Sequence, residues 1–102
     1  MQRLGIWVLT LVIALGVTAS AGAATTVQIK NFAFKPGTVE VKRGARVTFG
    51  NSSGVPHTAT SGSFDTKRIA PGQSATVKFG KRGTFAYHCK IHPFMKGKVV
   101  VE

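Results

Sequence analysis

From Thr26 onward the chain alternates apolar and polar residues in short runs, and each run ends at turn-forming residues. No helical period lasts three turns in this stretch, which excludes helical bundles and alternating α/β folds from the start. In "TVEVK" Val39 and Val41 share one face while Glu40 and Lys42 share the other. The same alternation recurs in "RVTF", "SATVKF" and "GKVVVE", with a first strand expected in "TVQIK". Between the runs, "KPG", "RG", "NSSG", "SGS", "APGQ" and "GKRG" supply the Gly, Pro and Asn that tight turns need. The expected fold is therefore all-β, with antiparallel sheets packed face to face or closed into a barrel, and no significant helix.

The first residues obey a different logic. Met1-Gln2-Arg3 is a short positive start, Leu4 to Val17 is unbroken apolar sequence, and "TASAGAA" offers small residues in A-x-A register. That order of parts is a secretory signal peptide. Residues 1–23 are assigned to it, with cleavage near Ala21–Ala24, and residues 24–102 to a single domain. An uncleaved anchor is the alternative, but the apolar run falls short of the roughly 20 residues a spanning helix needs. The mature chain is thus expected to be exported, with no stable membrane insertion, and the short signal points to a bacterial periplasm.

Export changes the meaning of Cys89, the only cysteine in the chain. Thiols outside the cytosol tend to pair, and this one has no partner within the chain. A metal would occupy it. Without Arg3 the mature part keeps 13 Lys/Arg against Glu40, Asp65 and Glu102, a net charge of +10. Such a surface attracts acidic partners. Nucleic acid is not expected among them, because no basic helix or aromatic-interleaved motif accompanies the charge.

Cys89, His92 and Met95 fall at intervals of three within "YHCKIHPFMKG". Read as a strand entering a loop, this segment places Phe85, Tyr87 and Cys89 on one face and Thr84, Ala86 and His88 on the other. His88 is therefore assigned to the surface. Pro93 prevents a regular helix or ladder, so the loop can gather three side chains at one point. A fourth donor has one remaining source, His57 in "NSSGVPHTATS". Thiolate, two imidazoles and a thioether are a soft set that suits copper, in the two-His, one-Cys plane with a weak axial Met of blue-copper sites.

"YHCKIHPFMKGKVVVE", "NSSGVPHT", "NFAFKPGTVEVKRGARVTF" and "APGQSATVKF" together resemble the cupredoxins of the plastocyanin/amicyanin group, the amicyanins most of all. The resemblance runs from Val27 to Glu102 and implies a Greek-key sandwich or barrel. It also implies one type-1 copper held by His57, Cys89, His92 and axial Met95, with single electrons passing between redox partners through the exposed edge of His92. Asn51 is implied to tie the two ligand loops together, with its backbone N–H aimed at the Cys89 sulfur. In acid, the reduced centre of such proteins can release this histidine, which would show as a pH-dependent potential.

Two departures accompany the likeness. Ile91 stands where the family usually has proline, so its N–H is expected to donate a second bond to the thiolate, and Ile91→Pro to lower the potential. Lys90 beside the ligand is expected to raise the potential as well. The docking surface is expected to be apolar, formed by Val55, Pro56, Pro93 and Phe94 and rimmed by Lys90, Lys96 and Lys98. It would meet an acidic partner, with the chain acting as a monomer.

An enzyme is not expected, because four protein donors leave no open position for a substrate. Haem attachment by C-x-x-C-H and a binuclear copper centre both need a second cysteine. The rival reading is a copper carrier that uses the same donors to pass on metal.

Overall fold

The computed structural model describes residues 25–102. The signal-peptide expectation falls outside them. Among the described residues, seven strands carry the fold: β1 (Thr25–Lys30), β2 (Ala33–Lys35), β3 (Thr38–Val41), β4 (Ala45–Asn51), β5 (Ser74–Phe79), β6 (Gly83–His88) and β7 (Lys96–Val101). They form a four-stranded sheet in the order β2-β1-β4-β5 and a three-stranded sheet in the order β3-β7-β6. No described residue is helical.

Alternation sets the inner faces, as period-two patterning requires. Ala45, Val47 and Phe49 of β4 are buried between solvent-facing Arg46 and Thr48, and Val39 and Val41 of β3 flank exposed Glu40. Val99 and Val101 of β7 pack against them from within the same layer. Phe34, Phe49, Phe64, Phe79 and Tyr87 fill the space between the sheets with mostly edge-to-face rings.

The sheets are mixed, not wholly antiparallel as the sequence suggests. β1 runs parallel to β4, with Val27 opposite Phe49, and β3 runs parallel to β7, with Val39 opposite Val99. The chain crosses to the second sheet for β3 and returns for β4, so β1 and β4 meet with the same direction. Alternation reports which face a residue takes and is silent on strand direction.

Tyr87 lies at the centre of the aromatic cluster and is 2% exposed. Burial pushes its hydroxyl pKa well above the usual value, so the group is neutral. The oxygen has no protein hydrogen-bond partner among the described residues. Removing a hydroxyl that satisfies no other group leaves nothing orphaned. Tyr87→Phe is accordingly expected to match or exceed wild-type stability in urea denaturation; a loss above about 1 kcal/mol would show that the hydroxyl does bond.

Candidate metal centre

Two loops at one end of the sandwich bring the candidate donors together. The first leaves β4 at Asn51, whose side chain organises the turn beyond the strand. Its Nδ2 donates to the Val55 and Ile69 carbonyls, both at 2.8 Å, while its Oδ1 accepts from Ser53 N–H at 2.9 Å. His57 then pairs with Ile69 through reciprocal backbone bonds, and Thr60 pairs with His88 in the same way. The second loop leaves β6 and closes at once, since Cys89 N–H donates to Met95 O and Met95 N–H donates to His92 O. Because His88 precedes Cys89, the Thr60–His88 bridge fixes the two loops relative to each other.

The donors converge. His57 Nδ1 and His92 Nδ1 are 3.2 Å apart, and each lies 3.7 Å from Cys89 Sγ. An ion with bonds of about 2.0 Å to nitrogen and about 2.3 Å to sulfur would hold three coplanar donors about 3.5 Å (N–N) and about 3.7 Å (N–S) apart. The spacing fits a metal. Burial, and next the neighbouring His92, lower the His57 pKa, which keeps its ring neutral and its lone pair free to bind. Cys89 and His57 are fully buried, Met95 is 2% exposed, and His92 lies half-buried at the surface. His88 stands outside the cluster, on the opposite strand face.

The sequence profile of the cupredoxin-like domain matches residues 3–101. The chain belongs to the cupredoxin family. Amicyanin-alpha of Methylorubrum extorquens is 38% identical over 91 residues, covering 82% of this chain and 76% of that protein. The amicyanin of Paracoccus denitrificans is 33% identical and covers 80% and 68%. Among solved structures, a Cu(I) form of an amicyanin variant superposes with a TM-score of 0.72 at 34% identity, covering 78% of this chain and 82% of that one.

Several details of this cupredoxin differ from what its sequence suggests. The N–H that reaches Cys89 Sγ belongs to Thr58, at 3.4 Å. Asn51 N–H goes instead to Gln73 O, so Asn51 shapes the His57 loop without touching the sulfur. Thr58 also ties the loops, because its Oγ1 accepts Lys90 N–H at 2.9 Å. Its position directly after His57 was the available signal. Ile91 N–H makes no bond to Sγ among the described residues, and Ile91→Pro therefore has no such bond to remove. Lys90 is not a free charge either, since its Nζ pairs with Asp65 Oδ2 at 3.1 Å.

Phe94 points outward and is 70% exposed, next to exposed Pro93, and Val55 is exposed as well. The surface gains a residue that sequence patterning missed. Asn31 and Phe32 form the two-residue β1–β2 turn, both with left-handed φ, of 54° and 56°. Such turns favour Asn followed by Gly, so Phe at the second position is unusual. Its ring meets His92 edge-on at 5.2 Å between centroids, His57 at 5.8 Å and Phe94 at 6.3 Å. Lys96 and Lys98 lie on the solvent face of β7, opposite His88 and Ala86. The cleft on the Cys89 flank is instead lined by Lys67, Arg68, Lys90 and Asp65.

Asp65 has a pKa of about 2, lowered first by Lys67 N–H and then by the Lys90 and Thr60 hydrogen bonds. A folded pKa below the unfolded value of about 3.9 means stabilisation that is full above that value and lost as pH falls toward about 2. Asp65→Asn is expected to be less stable than wild type at pH 7, with the difference fading between pH 4 and pH 2. Denaturation midpoints across that range check the sign.

Proposed function

We propose that this chain is an exported type-1 copper protein that carries single electrons between redox partners. The carrying observation is the triangle of Cys89 Sγ, His57 Nδ1 and His92 Nδ1 in a chain that belongs to the cupredoxins. Met95, buried and bonded through its backbone to both Cys89 and His92, is the proposed axial donor. Copper bound there supplies a one-electron Cu(II)/Cu(I) couple. The protein's part is to hold the donors where neither oxidation state has to move them. Backbone bridges at His57–Ile69 and Thr60–His88 do this, and a buried sandwich backs them.

His92 is the proposed electron port, since the other strong donors are buried and it alone reaches the surface. Phe32, Val55, Pro93 and Phe94 around it form an apolar contact, and the cations on the Cys89 flank favour a partner that is acidic around its own centre. Export after removal of residues 1–23, action as a monomer and the absence of enzymatic activity complete the reading. No helix among the described residues is long and apolar enough to cross a membrane.

The copper-carrier reading uses the same donors but needs a labile site. Three of the four donor residues are buried here, which favours retention. Voltammetry of the copper-loaded protein with a Cu(I) chelator present separates the two. Repeated one-electron cycles with copper retained support the electron carrier, and loss of copper within the first cycles supports the metal carrier.

A further inference from the structure

A ring of hydrogen bonds closes directly behind the thiolate. Lys90 N–H donates to Thr58 Oγ1 at 2.9 Å, and Thr58 Oγ1 lies 3.0 Å from Thr60 Oγ1. Thr60 Oγ1 donates to Asp65 Oδ1 at 3.0 Å, and Asp65 Oδ2 accepts from Lys90 Nζ at 3.1 Å. Thr60 has one hydroxyl proton and spends it on Asp65, so Thr58 must donate to Thr60. Every donor from the Lys90 amide onward points toward the carboxylate. The ring touches the ligand twice, through Thr58 N–H on Sγ and through the peptide joining Cys89 to Lys90.

Asp65 is one of three acidic residues in the chain. Glu40 in β3 pairs with Val100 and Glu102 comes directly after β7, both toward the end of that strand away from Met95 and Lys96. At the metal end this single carboxylate sits among Lys67, Arg68 and Lys90. A half-exposed ion pair of this kind contributes little to stability by itself. Its charge nevertheless bears on the centre. One-electron reduction lowers the net charge of the centre by one, so a nearby cation favours the reduced state and a nearby carboxylate the oxidised state.

Resting on the copper reading above, we propose that Asp65 is a positioning residue for the metal centre. It orients the hydroxyl relay that ends on Thr58, and it cancels the Lys90 charge beside the thiolate. The potential is thereby held below the value the surrounding cations alone would set.

The test is voltammetry of the copper-loaded mature protein at pH 7 and low salt. Asp65→Asn keeps an acceptor for Thr60 but removes the charge, and its midpoint potential is expected to shift upward. Lys90→Met is expected to shift downward, and the double variant to return close to wild type. Lys78→Met, on β5 beside Arg46 and with the same change in net charge as Lys90→Met, should leave the potential in place. Added salt should shrink the first two shifts. An unshifted or lowered Asp65→Asn potential, single shifts that fail to cancel, or a Lys78→Met shift equal to that of Lys90→Met overturns the proposal. A wild type lacking an intense blue band would instead overturn the copper reading beneath it.

Discussion

Gly97→Ala is expected to cost the fold about 3 kcal/mol or more, the upper range for overpacking a filled interior. Gly97 stands opposite Tyr87 in the β6–β7 pair, and the tyrosine ring folds over it. A Cβ at position 97 would overlap Tyr87 Cζ, Oη and Cε1. The ring has nowhere to go, because Phe34 packs against it at 4.8 Å and Phe49 at 5.3 Å between centroids. The consequence reaches the metal centre, since Tyr87 is two residues before Cys89 on the same strand face. Thermal or urea denaturation checks the loss. Tyr87→Leu in the same chain should recover part of it, as coupled neighbours do. Wild-type stability for Gly97→Ala would mean that the ring can leave its place.

Cys89→Ser is expected to abolish the intense visible absorption and most of the copper affinity while the sandwich remains folded. Serine keeps the size of the side chain and an acceptor for Thr58 N–H. It replaces a polarisable thiolate with a hydroxyl that stays protonated at neutral pH, and soft donors are what the centre offers copper. The effect on stability comes from mass action. Metal present at a thousandfold excess over its Kd stabilises the folded state by about 4 kcal/mol, and the variant should lose most of that increment. Melting curves with and without copper measure it directly. A variant that melts as much higher with copper as wild type does would show that Cys89 is not a principal donor.

Much of this was legible from residue types alone. Alternating valines in "TVEVK" and "GKVVVE" showed the buried faces of β3 and β7, and Phe85, Tyr87 and Cys89 fell on one strand face as period two requires. The cluster of His57, Cys89 and His92 was legible because soft side chains are so scarce in the chain that their grouping stood out. Strand direction was not legible, since the parallel β1–β4 and β3–β7 pairs depend on where the chain crosses between layers. The Lys90–Asp65 pair was hidden for a related reason. Its members are 25 positions apart, and the Thr60–His88 bridge and the Thr58–Lys90 bond bring their segments together. Phe32 was hidden by its turn, where a lone aromatic residue resembles a chance exposure until the hairpin aims it at two imidazoles.

The central claim is that His57, Cys89 and His92 hold one redox-active copper with the thiolate in the donor plane. Its most direct test is an optical titration of the mature domain with Cu(II), and then with a mild reductant. The predicted result is an intense blue band that saturates at one copper per chain and bleaches reversibly. Tight copper binding with a faint or absent band would contradict the account, because Cys89 would then lie outside the plane its geometry implies.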